Sequence, residues 1–363
     1  MKSITCFIGG LGGGGAEHQM SILAELLKDK GYSVEIVTFI DAPDFYTLHP
    51  EVRRVRLAEG KASFIKVLSI FSFFLSRKTD IVISYTQRAN LLCLFPLLFR
   101  RKILVIAGER NISGKKQTRR ERVLFNFLYR RANYIVPNSV SQANYIKTKK
   151  PKLAAKVVPI SNYTDIDSFI PSPLPLNNTL RIAVFARFQR QKNCIRFAEM
   201  LSRLKSCGHR PFVVDWYGRR VFNSPAQQDY YDSFVSKVQT LGIENVLHIN
   251  NPIKDVPAQI KQCDILCLPS VLEGFSNAIA EGISSGRPMV VSDISDNSIM
   301  VHDGENGFLF NPYDVDSMLE AFIKIIDLPN ETLSQMGLIS REIAESLFDK
   351  DRYVGEYIAL FDN

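Results

Sequence analysis

The sequence predicts an α/β protein of two doubly wound parallel layers, and three observations carry that prediction. A short apolar segment at 3–8 runs into a glycine-rich stretch and then into residues with helical apolar spacing. A proline-rich stretch at 169–179 interrupts the pattern. The alternation of short apolar runs with helix-length segments then restarts at residue 181. Short buried strands alternating with helices imply parallel sheets covered on both faces. The 363 residues leave room for two or three domains at roughly 100–200 residues each. Hydrophobic residues at 46%, charged residues at 23% and a mean hydropathy of -0.02 exclude a disordered chain, a collagen and a multi-span membrane protein.

In chain order, SITCFI (3–8) reads as a buried strand. Gly9-Gly10-Leu11-Gly12-Gly13-Gly14-Gly15 follows, and residues 16–30 place Met20, Leu23, Leu26 and Leu27 on one helical stripe closed by Gly31. VEIVTFI (34–40), IVISY (81–85), ILVIAG (103–108) and YIVPNS (134–139) read as further strands. FIPSPLPLNNT (169–179) holds three prolines and two asparagines, which disfavour helix and sheet alike. RIAVFA (181–186), FVVDWYG (212–218), VLHI (246–249), ILCLP (265–269) and MVVS (289–292) are the strands of a second unit. The stretch 331–361 reads as helical, with Tyr353, Tyr357 and Leu360 on one stripe. The expected organisation is an N-terminal domain at 1–168, a linker at 169–179, a second domain at 180–345, and a closing helix at 346–363 that packs back toward the first domain. Ligands of such sheets bind at the carboxyl ends of the strands, facing the cleft between the layers.

The 45 Lys and Arg against 37 Asp and Glu give a net charge of +8. The excess is uneven: residues 1–180 carry 27 bases and 13 acids, +14, and the remainder 18 and 24, −6. Halves of opposite sign suit two domains with different partners, one of them anionic. Cys6, Cys93, Cys194, Cys207, Cys263 and Cys267 form no Cys-x-x-Cys pair and have no histidine cluster beside them, so free thiols in a reducing cytosol are expected. The apolar run at the N-terminus is too short for a secretory core or a membrane span.

The richest chemistry lies in 269–310, PSVLEGFSNAIAEGISSGRPMVVSDISDNSIMVHDGENGFLF. A strand ends at Pro269, Glu273-Gly274-Phe275 turns, and a helix begins near Ser276. The first amides of a helix are unpaired and carry its positive dipole end, which favours an anion. Glu281 lies roughly 6 Å along that helix at about 1.5 Å per residue. A phosphate at the helix start therefore leaves the hydroxyls of attached sugars near Glu273 or Glu281. On spacing alone the two acids also fit a solvated loop and a solvated helix face. Arg187 and Lys192 follow the strand 181–186 in FARFQRQKN, where a planar fork and a mobile point charge suit a diphosphate. Arg190 shares that turn, so the base that faces inward stays open. Gly10-x-Gly12-x-x-Gly15 matches a dinucleotide fingerprint, whose acid is expected at the end of the second strand; Glu35 lies inside that strand and Asp41 beyond it. Its surer meaning is a backbone open to close approach by phosphate or sugar.

EGFSNAIAEG with Glu273 and Glu281 seven residues apart, SGRPMVVSD and DGENGFLF resemble the donor-site signature of retaining glycosyltransferases of family 4. GLGGGGAEHQM resembles that family's N-terminal GGAE loop, PISNYTDIDSF its domain-exit segment, and FARFQRQKN its diphosphate-binding turn. The resemblance spans essentially the whole chain in order, and its tone is that of bacterial cell-envelope polysaccharide synthesis, lipopolysaccharide or capsule. It implies the GT-B fold, two Rossmann-like domains facing across a cleft. It also implies transfer of a sugar from a nucleotide-diphosphate donor, a UDP-hexose or UDP-N-acetylhexosamine, to a lipid-linked or cell-envelope saccharide in α linkage. By the same resemblance Arg187 and Lys192 hold the diphosphate. Glu273 contacts the transferred sugar and Glu281 the ribose, while Gly274, Phe275 and Ser276 offer amides. Gly14 and Gly15 approach the diphosphate from the other domain. No metal and no cofactor are expected, and Asp165-Ile166-Asp167 lies in the exit segment rather than at the site. The family's histidine after the strand preceding the cleft has no counterpart, since ILVIAG runs into Glu109-Arg110-Asn111 and IVISY into Thr86-Gln87. Arg110 is the candidate there for stabilising charge as the donor bond breaks. The alternatives are a nucleotide-sugar epimerase of the same fold, a non-catalytic sugar-nucleotide binder, and a nicotinamide dehydrogenase, which the two separate phosphate-site motifs disfavour.

The basic half clusters its charges around apolar runs, and 115–131 brackets Leu124, Phe125, Phe127 and Leu128 with Lys115, Lys116, Arg119, Arg120 and Arg122. Such a helix suits the headgroup region of an anionic bilayer. The expectation is a cytoplasmic protein peripheral to the inner face of the plasma membrane. Nucleic acid is the competing anion, but no nucleic-acid-binding motif accompanies the charge.

Overall fold

A computed structural model describes the chain except Gly13, 111–117, Val221, Asn223 and Asn363, and except the side chains of 119–122. Asn111, Lys115 and Lys116, and the side chains of Arg119, Arg120 and Arg122, thus lie outside the described residues. The chain divides into two compact units, one of residues 1–163 with 350–363 and one of 164–349.

The first unit holds strands β1 (Ser3–Ile8), β2 (Ser33–Thr38), β3 (Arg53–Arg56), β4 (Ile81–Tyr85), β5 (Leu104–Glu109) and β6 (Tyr134–Pro137). Its helices are α1 (Gly15–Asp29), α2 (Ser63–Ser76), α3 (Gln87–Leu97), α4 (Arg119–Leu128) and α5 (Val140–Lys149). The strands pair in parallel in the order β3-β2-β1-β4-β5-β6. Phe7, Val37, Phe74, Val82, Leu94 and Val105 are buried in its core. β3 was not expected from the sequence. Its RRVR carries the charge of an edge strand, which keeps an open edge from pairing with another chain. Arg54 and Arg56 both pair with Asp44, at 2.9 and 2.8 Å.

The second unit begins at 164, and its residues 169–179 carry no helix or strand. It then forms β7 (Leu180–Phe185), β8 (Phe212–Tyr217), β9 (Leu247–Asn250), β10 (Ile265–Leu268), β11 (Met289–Ser292) and β12 (Gly307–Phe310). Its helices are α6 (Cys194–Ser206), α7 (Pro225–Thr240), α8 (Val256–Ile260), α9 (Asn277–Ser284), α10 (Asn297–Met300), α11 (Val315–Ile326) and α12 (Asn330–Leu347). The parallel order is β12-β11-β10-β7-β8-β9. Read from β9, this repeats the order of the first unit, and both are the doubly wound Rossmann order. The order reverses between β1 and β4 in one unit and between β7 and β10 in the other, and ligands of such sheets bind beyond the strand ends at that switch point. Trp216, Phe197, Phe234 and Phe322 fill the second core.

The helix read over 331–361 is two helices. Phe348 leaves helical geometry at φ −109° and ψ 46°, and its buried ring packs on Phe275 at 6.1 Å. The chain resumes as α13 (Lys350–Ala359), which belongs to the first unit and buries Tyr353 and Tyr357 there.

Candidate functional site

In the second unit the switch point brings together the two motifs singled out in the sequence. The loop after β7 and the loop after β10 are stitched by Gln191, whose Nε2 donates to Leu272 O at 2.6 Å and whose carbonyl accepts from Val271 N at 2.9 Å. The chain then passes through Asn193 in the left-handed region, φ +61°. Asn tolerates that conformation, and its side chain donates to Pro312 O at 2.8 Å. This turn aims Lys192 at Glu273, and Nζ forms an ion pair with Oε1 in a largely buried setting. Arg190 turns away onto the Tyr230 ring at 5.6 Å, so Lys192 is the base facing the loop. Arg187 is exposed, and its guanidinium has no ion-pair or hydrogen-bond partner among the described residues.

Glu273 is held from behind by Ser295, whose Oγ donates to its carbonyl at 2.6 Å. Ser295 itself sits at φ +52°. Ser276 caps α9, with Oγ accepting from Ile279 N at 3.4 Å. The amides of Gly274, Phe275 and Ser276 have no partner among the described residues. Three unclaimed N–H groups at the positive end of α9 form an anion-binding edge. Gly282 lets α9 settle onto the sheet: a Cβ there would lie 2.6 Å from Leu266 Cδ1 and 2.9 Å from Met289 Sδ. Sequence reasoning missed Gln191, Asn193 and Ser295. Asn before a helix is a weak local signal for a left-handed turn, whereas the other two act through contacts between loops distant in sequence.

Glu281 points off α9 without a hydrogen-bond or ion-pair partner among the described residues, and burial pushes its carboxyl up to about 7. Raising an acid's folded-state value favours the protonated form, so stability is full below its unfolded value near 4.5 and falls as pH rises through 7. Glu281→Gln removes this penalty. Unfolding free energies from denaturant titration should match wild type at pH 4.5 and exceed it at pH 8 by roughly 2–3 kcal/mol; equal stability at both pH values would contradict the desolvated, unpaired carboxyl.

In the first unit, Gly14 is the N-cap of α1 at φ −91° and ψ 162°, and Gly15 opens the helix. A Cβ on Gly14 would meet the Glu17 carboxylate, so only glycine leaves that acid in place over the loop. Glu35 is not available to a ribose: it is buried and takes Arg77 and the Thr5 hydroxyl. Asp41 takes Lys66 at 2.8 Å. The dinucleotide reading of the glycine run therefore lacks its acid. Arg110, beyond β5, is buried: Nη1 donates to Asn162 Oδ1 at 2.9 Å, Nη2 to Tyr357 Oη at 2.6 Å, and the guanidinium lies 3.8 Å from the Tyr85 ring centre. Tyr85 and Tyr357 share a hydrogen bond of 2.7 Å. Arg110 Nε is buried without a partner. Beside it, burial raises the Glu109 carboxyl, which accepts from the Tyr129 hydroxyl and from Asn90. Thr86, at the switch point after β4, holds φ +80°, an uncommon setting for a β-branched residue. Asp165 caps the short turn after it, accepting from Ser168 Oγ at 2.6 Å and Asp167 N at 3.3 Å.

Comparison with known proteins points the same way. The family model for glycosyl transferases group 1 matches residues 166–342. Over 185 residues the chain is 28% identical to a UDP-Gal:alpha-D-GlcNAc-diphosphoundecaprenol alpha-1,3-galactosyltransferase of Escherichia coli, covering 47% of this chain and 46% of that protein, so the chain spans about half that relative's length. A Campylobacter jejuni N-acetylgalactosamine-N,N'-diacetylbacillosaminyl-diphospho-undecaprenol 4-alpha-N-acetylgalactosaminyltransferase is 22% identical over 90% of this chain and 91% of its own. Anabaena HepE, solved in complex with UDP, superposes with a TM-score of 0.81 at 18% identity, over 99% of both chains. The fold is thus GT-B, two Rossmann-like α/β units, as the resemblance implied.

Proposed function

We propose that this chain, whose residues 166–342 belong to the glycosyl transferases group 1 family, moves a sugar from a nucleotide-diphosphate donor to a lipid-linked saccharide with retention, forming an α linkage. The carrying observation is the start of α9. Lys192 is held on Glu273, three amides are unclaimed, and Glu281 waits one turn further along without a partner. In the reaction the bond from the anomeric carbon to the diphosphate oxygen breaks, and its electron pair stays with the diphosphate. The acceptor oxygen bonds to that carbon and passes its proton to the departing diphosphate. Lys192, Arg187 and the helix end meet the charge that grows on the leaving group. Glu273 accepts from hydroxyls of the moving sugar, and Glu281 from the ribose. Gly14 and Gly15 let the first unit's backbone approach the diphosphate. Arg110 contributes its unclaimed Nε to the charge that develops as the bond breaks. With cations and a helix end already present, the donor's charge needs no metal. The relatives' undecaprenyl-linked acceptors and the basic first half support an acceptor held at the cytoplasmic face of an anionic membrane. No described helix is long and apolar enough to cross one.

A panel of UDP-sugars with a polyprenyl-diphosphate saccharide tests this. UDP should appear only when acceptor is present, the product should be α-linked, and turnover should persist in EDTA. Sugar interconversion without acceptor would make the protein an epimerase, thermal stabilisation without turnover a binder, and activity lost to EDTA and restored by Mn²⁺ would refute the metal-free site.

A further inference from the structure

α2 is apolar along its outward stripe as well as its inward one. Ile70 and Phe74 face the core. Phe64, Leu68, Phe71 and Leu75, spaced at i, i+4, i+7 and i+11, form a second apolar stripe about 110° round the helix from the first. Phe64 is 72% exposed and Leu68 51%. α3 and the turn that follows it extend the strip with Phe95 and Phe99, 51% and 68% exposed, whose rings lie 5.6 and 6.5 Å from that of Phe71. Contiguous aromatic and aliphatic surface of this kind marks an interaction site rather than scattered exposure. Its rim is basic. Residues 60–108 contain eight Lys and Arg and a single acid, Asp80, which is occupied by Ser3. Arg100 donates to Leu75 O and Arg77 O, which brings the Arg101-Lys102 loop to the same end of α2 as Lys78. Lys61 stands at the other end. Lys61, Lys78, Arg101 and Lys102 are exposed and have no ion-pair partner among the described residues.

We propose that this face of α2 and α3 docks the protein on an anionic lipid bilayer, with the Phe64–Leu75 stripe and Phe95 and Phe99 in the acyl boundary and the bases against the headgroups. The inference rests on the membrane part of the reading above and names the surface that serves it. A helix of 14 residues lies in the interface rather than across it, since a span needs about 20. A second copy of the chain is disfavoured on this face, because it would set the exposed Lys61, Lys78, Arg101 and Lys102 of one copy against those of the other. The segment 115–131 serves less well than the sequence suggested: of the four apolar residues bracketed there by bases, Phe125 and Leu128 are buried in the first unit's core, and only Leu124 and Phe127, with the neighbouring Val123, are exposed.

Sedimentation with phosphatidylcholine vesicles, with and without phosphatidylglycerol, tests the surface using the full chain. Wild type should bind the phosphatidylglycerol vesicles and lose most binding in high salt. Phe64→Ser, Leu68→Ser, Phe95→Ser and Phe99→Ser combined, and separately Lys61, Lys78, Arg101 and Lys102 to Gln, should each weaken binding roughly 100-fold with an unchanged melting temperature. Leu124→Ser with Phe127→Ser should bind as wild type. If wild type ignores the vesicles, the membrane reading itself fails. If it binds and the α2–α3 variants bind equally, or if only the α4 variant loses binding, this surface is wrong and the membrane reading stands. A wild-type dimer that the serine variant dissociates, with vesicle binding unchanged, would make the face a subunit interface and also overturn the proposal. The vesicles contain no saccharide, so no outcome depends on sugar transfer.

Discussion

Lys192→Ala should weaken binding of UDP and UDP-sugar roughly 100-fold, and Arg187→Ala roughly 10-fold. Charge-assisted hydrogen bonds contribute about 1.5–3 kcal/mol each, which spans roughly 10- to 150-fold in affinity. The ranking within that span follows from the surroundings. Lys192 is largely buried against Glu273, so its removal deletes a cation and also leaves a buried carboxylate facing the donor's phosphates. Arg187 is exposed, and solvent screens what it offers. Isothermal titration with UDP measures both. Equal affinity in wild type and both variants would remove the diphosphate from this turn, and a larger loss at Arg187 than at Lys192 would reverse the assignment.

The two glutamates should fail in different ways. Glu281→Ala should raise the donor KM roughly tenfold with kcat nearly unchanged, because a ribose contact is made in the ground state and the transition state alike. Glu273→Ala should lower kcat by roughly 100-fold as well, because it positions the sugar that reacts and its loss also releases Lys192 from its held geometry. Glu273→Gln keeps the hydroxyl contacts but not the ion pair, and should fall between. Steady-state kinetics against donor concentration separates the cases. Identical losses at the two positions, or none, would contradict their separate roles.

What the sequence disclosed and what it withheld divide along physical lines. Central strands of a parallel sheet are buried on both faces and so read as continuous apolar runs, which is why SITCFI, IVISY and ILCLP were legible. RRVR was not, because an edge strand wears the composition of a loop. The site was legible as a set of residues and not as an arrangement. Lys192 and Glu273 lie 81 positions apart, and nothing local distinguishes Lys192 from Arg190 until Gln191 and Asn193 fix the turn. The carboxyl of Glu281 is notable for having no partner, which no spacing encodes. Helical periodicity placed Phe125 and Leu128 on the stripe with Leu124 and Phe127, but it could not say which of the four the sheet would cover. The stretch 331–361 is helical as expected, and what the sequence did not mark is the break at Phe348, whose ring is buried on Phe275.

The return of α13 to the first unit bears on the order in which the chain matures during synthesis. Tyr357 joins Tyr85 and Arg110 across 272 and 247 positions, and residues 164–349, which form a unit of their own, are all synthesised before it. On a ribosome the first unit must therefore wait, with Arg110 and the Tyr85 hydroxyl lacking their tyrosine, while the inserted unit collapses behind it. Closing a loop whose interior has already condensed costs less entropy than closing a free coil of that length, and long-range pairings of this kind slow a fold. Until α13 is made, the first unit thus lacks the Tyr357 hydroxyl that Tyr85 and Arg110 both bond.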